Sequence, residues 1–197
     1  MTTSSRTGRL TLAGMLAAAS LLAPMSHVLA GETAERAGEA EALLHQDKPA
    51  AALSAFDRAS DAFWGAMPFG IRTALFASSV AGFGRYEPRA EGAFRSGEAA
   101  TIYLEPVAYG FLGEAGQLTV AFTVGIEVRT PGGLTLARVD DIGRVTWQGR
   151  VRSREIHTAV NVTLPALKPG SYKLVLTLTD AATGRSATAD LPFRIAG

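Results

Sequence analysis

The chain has 197 residues, 47% hydrophobic and 19% charged, with 19 Lys and Arg against 18 Asp and Glu. That near-balance gives no electrostatic footprint for nucleic acid. The lack of any cysteine excludes disulfides, zinc–thiolate sites, iron–sulfur clusters and thiol nucleophiles together.

The N-terminal stretch reads as a secretory signal. Arg6 and Arg9 lie in a short polar run without an acid, Leu10 to Leu22 is apolar, and Val28-Leu29-Ala30 offers small residues at the −3 and −1 positions before Gly31. The apolar run is shorter than the ~20 residues a membrane span needs. An uncleaved anchor over 10–30 is the alternative, weakened by Pro24 and His27. The expectation is a periplasmic or secreted bacterial protein, cleaved near Ala30, with no stable membrane span afterwards. Cleavage removes two of the 19 basic residues and no acid, leaving a near-neutral chain. A cysteine-free sandwich held by packing alone suits that compartment.

Residues 33–64 read as a helical hairpin. Ala34, Ala37, Ala40, Leu43 and Leu44 lie near helical spacing, and Gln46-Asp47-Lys48 breaks the run. Pro49 suits the first position of a second helix, where Ala52, Phe56, Ala59 and Phe63 form a stripe. This resembles a single tetratricopeptide repeat, carried by Ala40 and Leu43 on the first helix and Ala52, Phe56 and Ala59 on the second. An early aromatic is missing, Trp64 stands where a proline is expected, and no second copy follows. Solenoid repeats need about three copies to bury a core. The lone hairpin therefore has to pack on the rest of the chain, on a sister subunit or on a partner. Met67-Pro68-Phe69-Gly70 interrupts the helix, and Ile71 to Val80 is predicted as a third short helix. Ala81-Gly82-Phe83-Gly84 then marks the boundary between a helical unit (31–81) and a β unit (82–197).

From Leu118 the chain alternates, with Val120, Phe122, Val124, Ile126 and Val128 on one face. Successive residues of a strand point to opposite faces, so this is one half-buried strand. The pattern returns at Val160, at Leu174 to Leu178 and at Leu191 to Ile195. Turn signals at Arg95 to Glu98, Gly113 to Gly116, Pro131 to Gly133, Asp140 to Gly143, Lys168 to Gly170 and Asp180 to Gly184 separate seven or eight strands. Leu167-Lys168-Pro169-Gly170-Ser171-Tyr172 resembles the start of the penultimate strand in fibronectin type III and bacterial immunoglobulin-like domains. That resemblance implies a tyrosine hydroxyl closing a corner onto the backbone. The expected fold class is α+β: a helical hairpin of two or three helices, then an antiparallel immunoglobulin-like β-sandwich. The whole arrangement resembles exported proteobacterial proteins of signal, hairpin and sandwich.

Candidate chemistry is sparse. His45 reads as a solvated cap and His157 as an outward residue near Glu155, and a metal site needs three or four ligands. No G-x-S-x-G elbow occurs for serine hydrolysis. Asp140-Asp141 reads as a polar turn without calcium-loop spacing. Asn161-Val162-Thr163 is a chance sequon in a strand, and Gly82-Phe83-Gly84 lacks a dinucleotide fingerprint. No catalytic residue, cofactor or metal is expected.

The aromatics are the candidates. Tyr103 and Glu105 alternate with Ile102 and Leu104, Pro106 interrupts the ladder as at an edge strand or bulge, and Tyr109 and Phe111 follow in a loop. Trp147 lies among Arg144, Arg150, Arg152 and Arg154; it is either a buried core tryptophan or part of an aromatic and arginine surface. The leading reading is a non-enzymatic exported module for protein–protein contacts in the envelope, using Trp64, Phe69 and the edge at Pro106. The alternative is a carbohydrate or small-ligand binder whose Tyr103, Tyr109, Phe111 and Trp147 form one exposed face. An enzyme with an unfamiliar site is a third.

Overall fold

The computed structural model describes residues 31–197, so the expected signal and His27 lie outside the described residues. Helix α1 (Glu32–His45) opens with Glu32 and Glu35 in its first turn, which complements the positive end of the helix dipole. A tight turn with Asp47 at φ +57° follows, and Pro49 begins α2 (Pro49–Ala66). The buried residues of this hairpin are Ala40, Ala52, Ala55 and Ala59. Small side chains let the two helices approach closely, but they bury little apolar area.

The sandwich follows. Its strands are β1 (Gly70–Gly82), β2 (Arg85–Pro88), β3 (Ala93–Phe94), β4 (Ala99–Val107), β5 (Leu112–Glu114), β6 (Gln117–Arg129), β7 (Thr135–Gly149), β8 (Thr158–Thr163), β9 (Gly170–Asp180) and β10 (Ser186–Ile195). One sheet has the order β2-β1-β4-β8; the other runs β3-β10-β9-β6-β5, with β7 along the far edge of β6. Between them lie Phe76, Ile102, Leu104, Val120, Phe122, Leu174, Leu176, Leu178 and Phe193. Phe76, Phe94 and Phe193 meet edge to face at 4.9 to 6.2 Å, a geometry that adds to their area burial. Tyr172 opens β9, and its hydroxyl donates to the Lys168 carbonyl at 2.9 Å.

The α+β class is corrected: strands take 52% of the described residues and helices 20%, so the described chain is mostly β with one hairpin appended. The expected third helix over 71–80 is strand β1, paired with β4 from Gly70↔Val107 to Ala77↔Thr101. Ile71, Ala74 and Leu75 fit a helical spacing, but periodicity cannot decide a short apolar run. Pairing and the burial of Phe76 and Ala77 decide it. The β unit therefore begins at Gly70 rather than at 82.

The edge expected at Pro106 is corrected, whereas the alternative of a bulge agrees with the β1–β4 register, which shifts between Ile71 and Thr73 opposite Pro106 and Glu105. Pro106 is buried on an inner strand, opposite Ile71 of β1. It lies beyond Leu104↔Thr158, where the pairing with β8 ends, so its missing N–H breaks no ladder there. Asp140 to Gly143 is not a turn either. β7 runs through it as a 15-residue strand with a bulge opposite Gly125. A Cβ on Gly125 would meet the Asp140 carbonyl oxygen at 2.9 Å, so the bulge requires glycine there.

Leu176 is fully buried at the centre of this core. Replacing it with Ala should cost about 2–5 kcal/mol of stability by urea unfolding. A loss below about 1 kcal/mol would contradict the placement of the core.

Candidate functional site

Two places gather the residues singled out in the sequence. The first is the junction of hairpin and sandwich. Trp64, in the last turns of α2, donates from Nε1 to the Tyr109 carbonyl at 3.0 Å, and the two rings meet edge to face at 5.0 Å. Tyr109 in turn donates its hydroxyl to the Ser153 carbonyl at 2.7 Å and packs on Phe111 and Phe122. Burial pushes the Tyr109 hydroxyl far above its ordinary pKa. Arg154 pairs with Asp61 of α2 and lies 6.0 Å from the Trp64 ring, while Arg152 lies over Phe111 at 5.0 Å. Phe69, just past the hairpin, is buried and stacks on Phe122 at 5.9 Å. Thus Trp64, Phe69, Tyr109 and Phe111 come together, but as an internal anchor.

Beyond this anchor neither helix packs extensively on the sandwich. Leu44 and Leu53 remain 63% exposed, Phe56 56% and Phe63 55%. They wall a groove between α1 and α2 made of two adjoining clefts of about 320 and 340 Å³, which share Ala37 and Phe56. Ala40, Ala52 and Ala59 lie along its floor. Among the described residues nothing covers these large apolar side chains beside their alanine floor.

The second place is the outer face of the sheet around β4. Tyr103 and Glu105 do point away from the core, as their alternation predicts, yet both are buried. The turn between β1 and β2 curls over them. Gly84 N–H donates to the Tyr103 hydroxyl oxygen at 2.8 Å, Tyr86 packs on the Tyr103 ring at 4.2 Å, and Arg72 sits 5.2 Å from the Phe83 ring. His157, expected to face solvent, stacks on the same tyrosine at 5.8 Å.

Glu105 is saturated. Its Oε1 accepts from the Tyr103 hydroxyl at 2.7 Å. Its Oε2 accepts from Arg72 Nε at 2.9 Å and Nη2 at 2.7 Å, and from Thr73 Oγ1 at 3.1 Å. Burial pushes the Glu105 carboxyl up, but hydrogen bonds from Tyr103, Arg72 and Thr73 outweigh it and hold the group below the usual carboxylate range. Burial first, and the neighbouring carboxylate second, push Tyr103 up to about 12. Each group is locked in one protonation state near neutrality, and general acid–base work needs a group that can change state near the operating pH. Among the described residues no three His, Asp or Glu side chains converge as metal ligands.

Trp147 is half-buried on β7, leaning on the core with its ring over Gly149. The single exposed aromatic face expected from Tyr103, Tyr109, Phe111 and Trp147 is therefore corrected: Tyr103 and Tyr109 are fully covered. Sequence reasoning missed Arg72, Phe83 and Tyr86 as their covers, and Leu44 and Leu53 as groove walls. The groove did leave a signal, the run Pro49, Leu53, Phe56, Ser60, Phe63.

Comparison of the sequence with family models and with curated proteins finds no match. Among solved structures, the chain is similar to an AA10 lytic polysaccharide monooxygenase from Streptomyces lividans, with 19% identity over 55% of this chain and 61% of that one, TM-score 0.32. It is similar to the sporulation control protein Spo0M of Bacillus subtilis, with 12% identity over 66% and 50% of the two chains, TM-score 0.34. It is also similar to the alkylpurine DNA glycosylase AlkC of Pseudomonas fluorescens, with 11% identity over 82% and 43%, TM-score 0.37. The chain thus matches 61% or less of the length of each of these proteins.

The Glu105 contacts exist only in the folded chain, so folding lowers its carboxyl from the ordinary value of about 4.3. The stability this contributes is complete above that value and is lost as pH falls through the lower folded one. Urea unfolding followed from neutral pH into that acid window should show a steeper loss for the native chain than for Glu105→Gln. Parallel curves would contradict the assignment.

Proposed function

We propose that this chain is a non-enzymatic interaction module, a β-sandwich that holds out a helical hairpin for capture of a partner protein. One observation carries the reading: the hairpin leaves Leu44, Leu53, Phe56 and Phe63 more than half exposed along one groove. An uncovered apolar groove of this kind marks an interaction site on a soluble domain. The Tyr103–Glu105 pair supports a non-enzymatic role, because both side chains are buried and already bonded to neighbours within the chain. The envelope, reached through the N-terminal signal, is the proposed setting. Carbohydrate recognition is the weaker reading, since two of its four rings are inside the protein.

A photo-crosslinking residue placed at Phe56 in the native chain should trap one partner in intact cells. The same residue at Thr188, on the outer face of β10, should not. Unlabelled native protein should compete for that partner and Phe56→Asp protein should not. Equal trapping from both positions, or none from Phe56, would contradict the module.

A further inference from the structure

We infer that the occupant of the groove is an amphipathic helix of a partner protein, about four turns long, with Lys and Arg flanking its apolar stripe. The inference rests on the proposed function and specifies its partner. Three observations carry it: the backbone chemistry of the groove, its periodicity and its charge.

The groove lies between two α-helices, whose backbone groups are already paired internally. It therefore offers no free N–H or C=O row to an extended peptide, which would have to leave its own backbone groups unpaired against an apolar surface. A helix pairs its own backbone and brings only side chains. The lining also has the right period. On α2 it runs Pro49, Leu53, Phe56, Ser60, Phe63, and on α1 Thr33, Ala37, Ala40, Leu44, in alternating steps of four and three. That mean spacing of about 3.5 is the period at which helices pack side by side, knobs into holes. From Pro49 to Phe63 the groove is roughly 21 Å long at 1.5 Å per residue, which sets the four turns.

Charge selects among helices. Residues 32–66 carry seven acidic side chains against three basic ones, Arg36, Lys48 and Arg58; Arg154, which lines one end of the groove, is taken up by Asp61, and an excess of acids remains. A second copy of the hairpin would bring the same negative excess against itself, and like charges across an interface disfavour it. A helix with basic flanks meets the opposite sign.

The test uses two synthetic helical peptides with the same apolar heptad stripe, one flanked by Lys and one by Glu. Binding to the purified full chain is read by fluorescence anisotropy. The Lys peptide should bind, at least about tenfold tighter than the Glu peptide, and added salt should weaken it. Phe56→Asp should cost the Lys peptide at least about tenfold, with an unchanged circular dichroism spectrum, while Thr188→Asp leaves binding intact. Equal binding of both peptides, or no binding of either, would overturn the inference. So would a dimer in sedimentation that Phe56→Asp dissociates, because a second copy would then fill the groove. If Phe56 traps a partner in cells but neither peptide binds, the interaction module stands and the helical, basic occupant falls. If neither experiment succeeds, both fall.

Discussion

Tyr109 is the centre of the junction where the two parts of the molecule meet, with the Arg154–Asp61 pair beside it. Its carbonyl receives the Trp64 indole, its hydroxyl reaches the Ser153 carbonyl between β7 and β8, and its ring lies on Phe122 of the core. The flanking backbone is shaped for this. Ala108 takes φ +57°, and a Cβ on Gly110 would meet Ala182 Cβ at 2.7 Å, so only glycine fits there. Gly110 N–H is in turn held by the buried Asp180 carboxylate at 2.9 Å. One aromatic residue thus ties hairpin, loop and core.

From that small junction follows the division of labour. The sandwich builds its core from Phe69 to Ile195, and among the described residues of the helices Trp64 alone packs against it, partly buried. The hairpin, lined with alanine, keeps its large side chains outside. Fully burying a Leu or Phe stabilises by about 1.5–3 kcal/mol, and total stabilities of domains are only about 5–15 kcal/mol. Four such side chains left half in water are therefore a large uncollected stabilisation, available to whatever covers the groove. The same logic reads in reverse at Tyr103 and Glu105. There the β1–β2 turn has already covered the polar outer face, and every hydrogen-bonding group beneath it is satisfied.

Much of this was legible in the residues. The alternation from Leu118 to Val128 marks β6 because one face is core and the other is not, and the proline and alanines of 49–59 mark α2. Other features depend on contacts far away in sequence. Ile71 to Val80 carries both periods, and only its pairing with β4 and the burial of Phe76 make it a strand. Asp140 to Gly143 has turn chemistry, but β6 runs on opposite it and turns the break into a bulge. The parity of Tyr103 and Glu105 correctly sets them opposite the core. Parity says nothing about a turn folding over that face, so their burial was hidden. In the hairpin, Phe56 and Phe63 stand out by spacing, but which side of the stripe stays open depends on where Trp64 is anchored.

The most direct test of this account is the freedom of the hairpin. The chain has no cysteine, so a spin-label pair can be placed at Ala51→Cys on α2 and at Lys168→Cys, just before β9 at the end of the sandwich away from Asp180 and Gly110, and their distance distribution measured. The account predicts one narrow distance in the native chain and a broad distribution once Trp64→Ala removes the anchor, with the unfolding midpoint of the sandwich nearly unchanged. An equally narrow distribution after Trp64→Ala would mean that the hairpin is packed on the sandwich elsewhere, and the open groove would no longer follow.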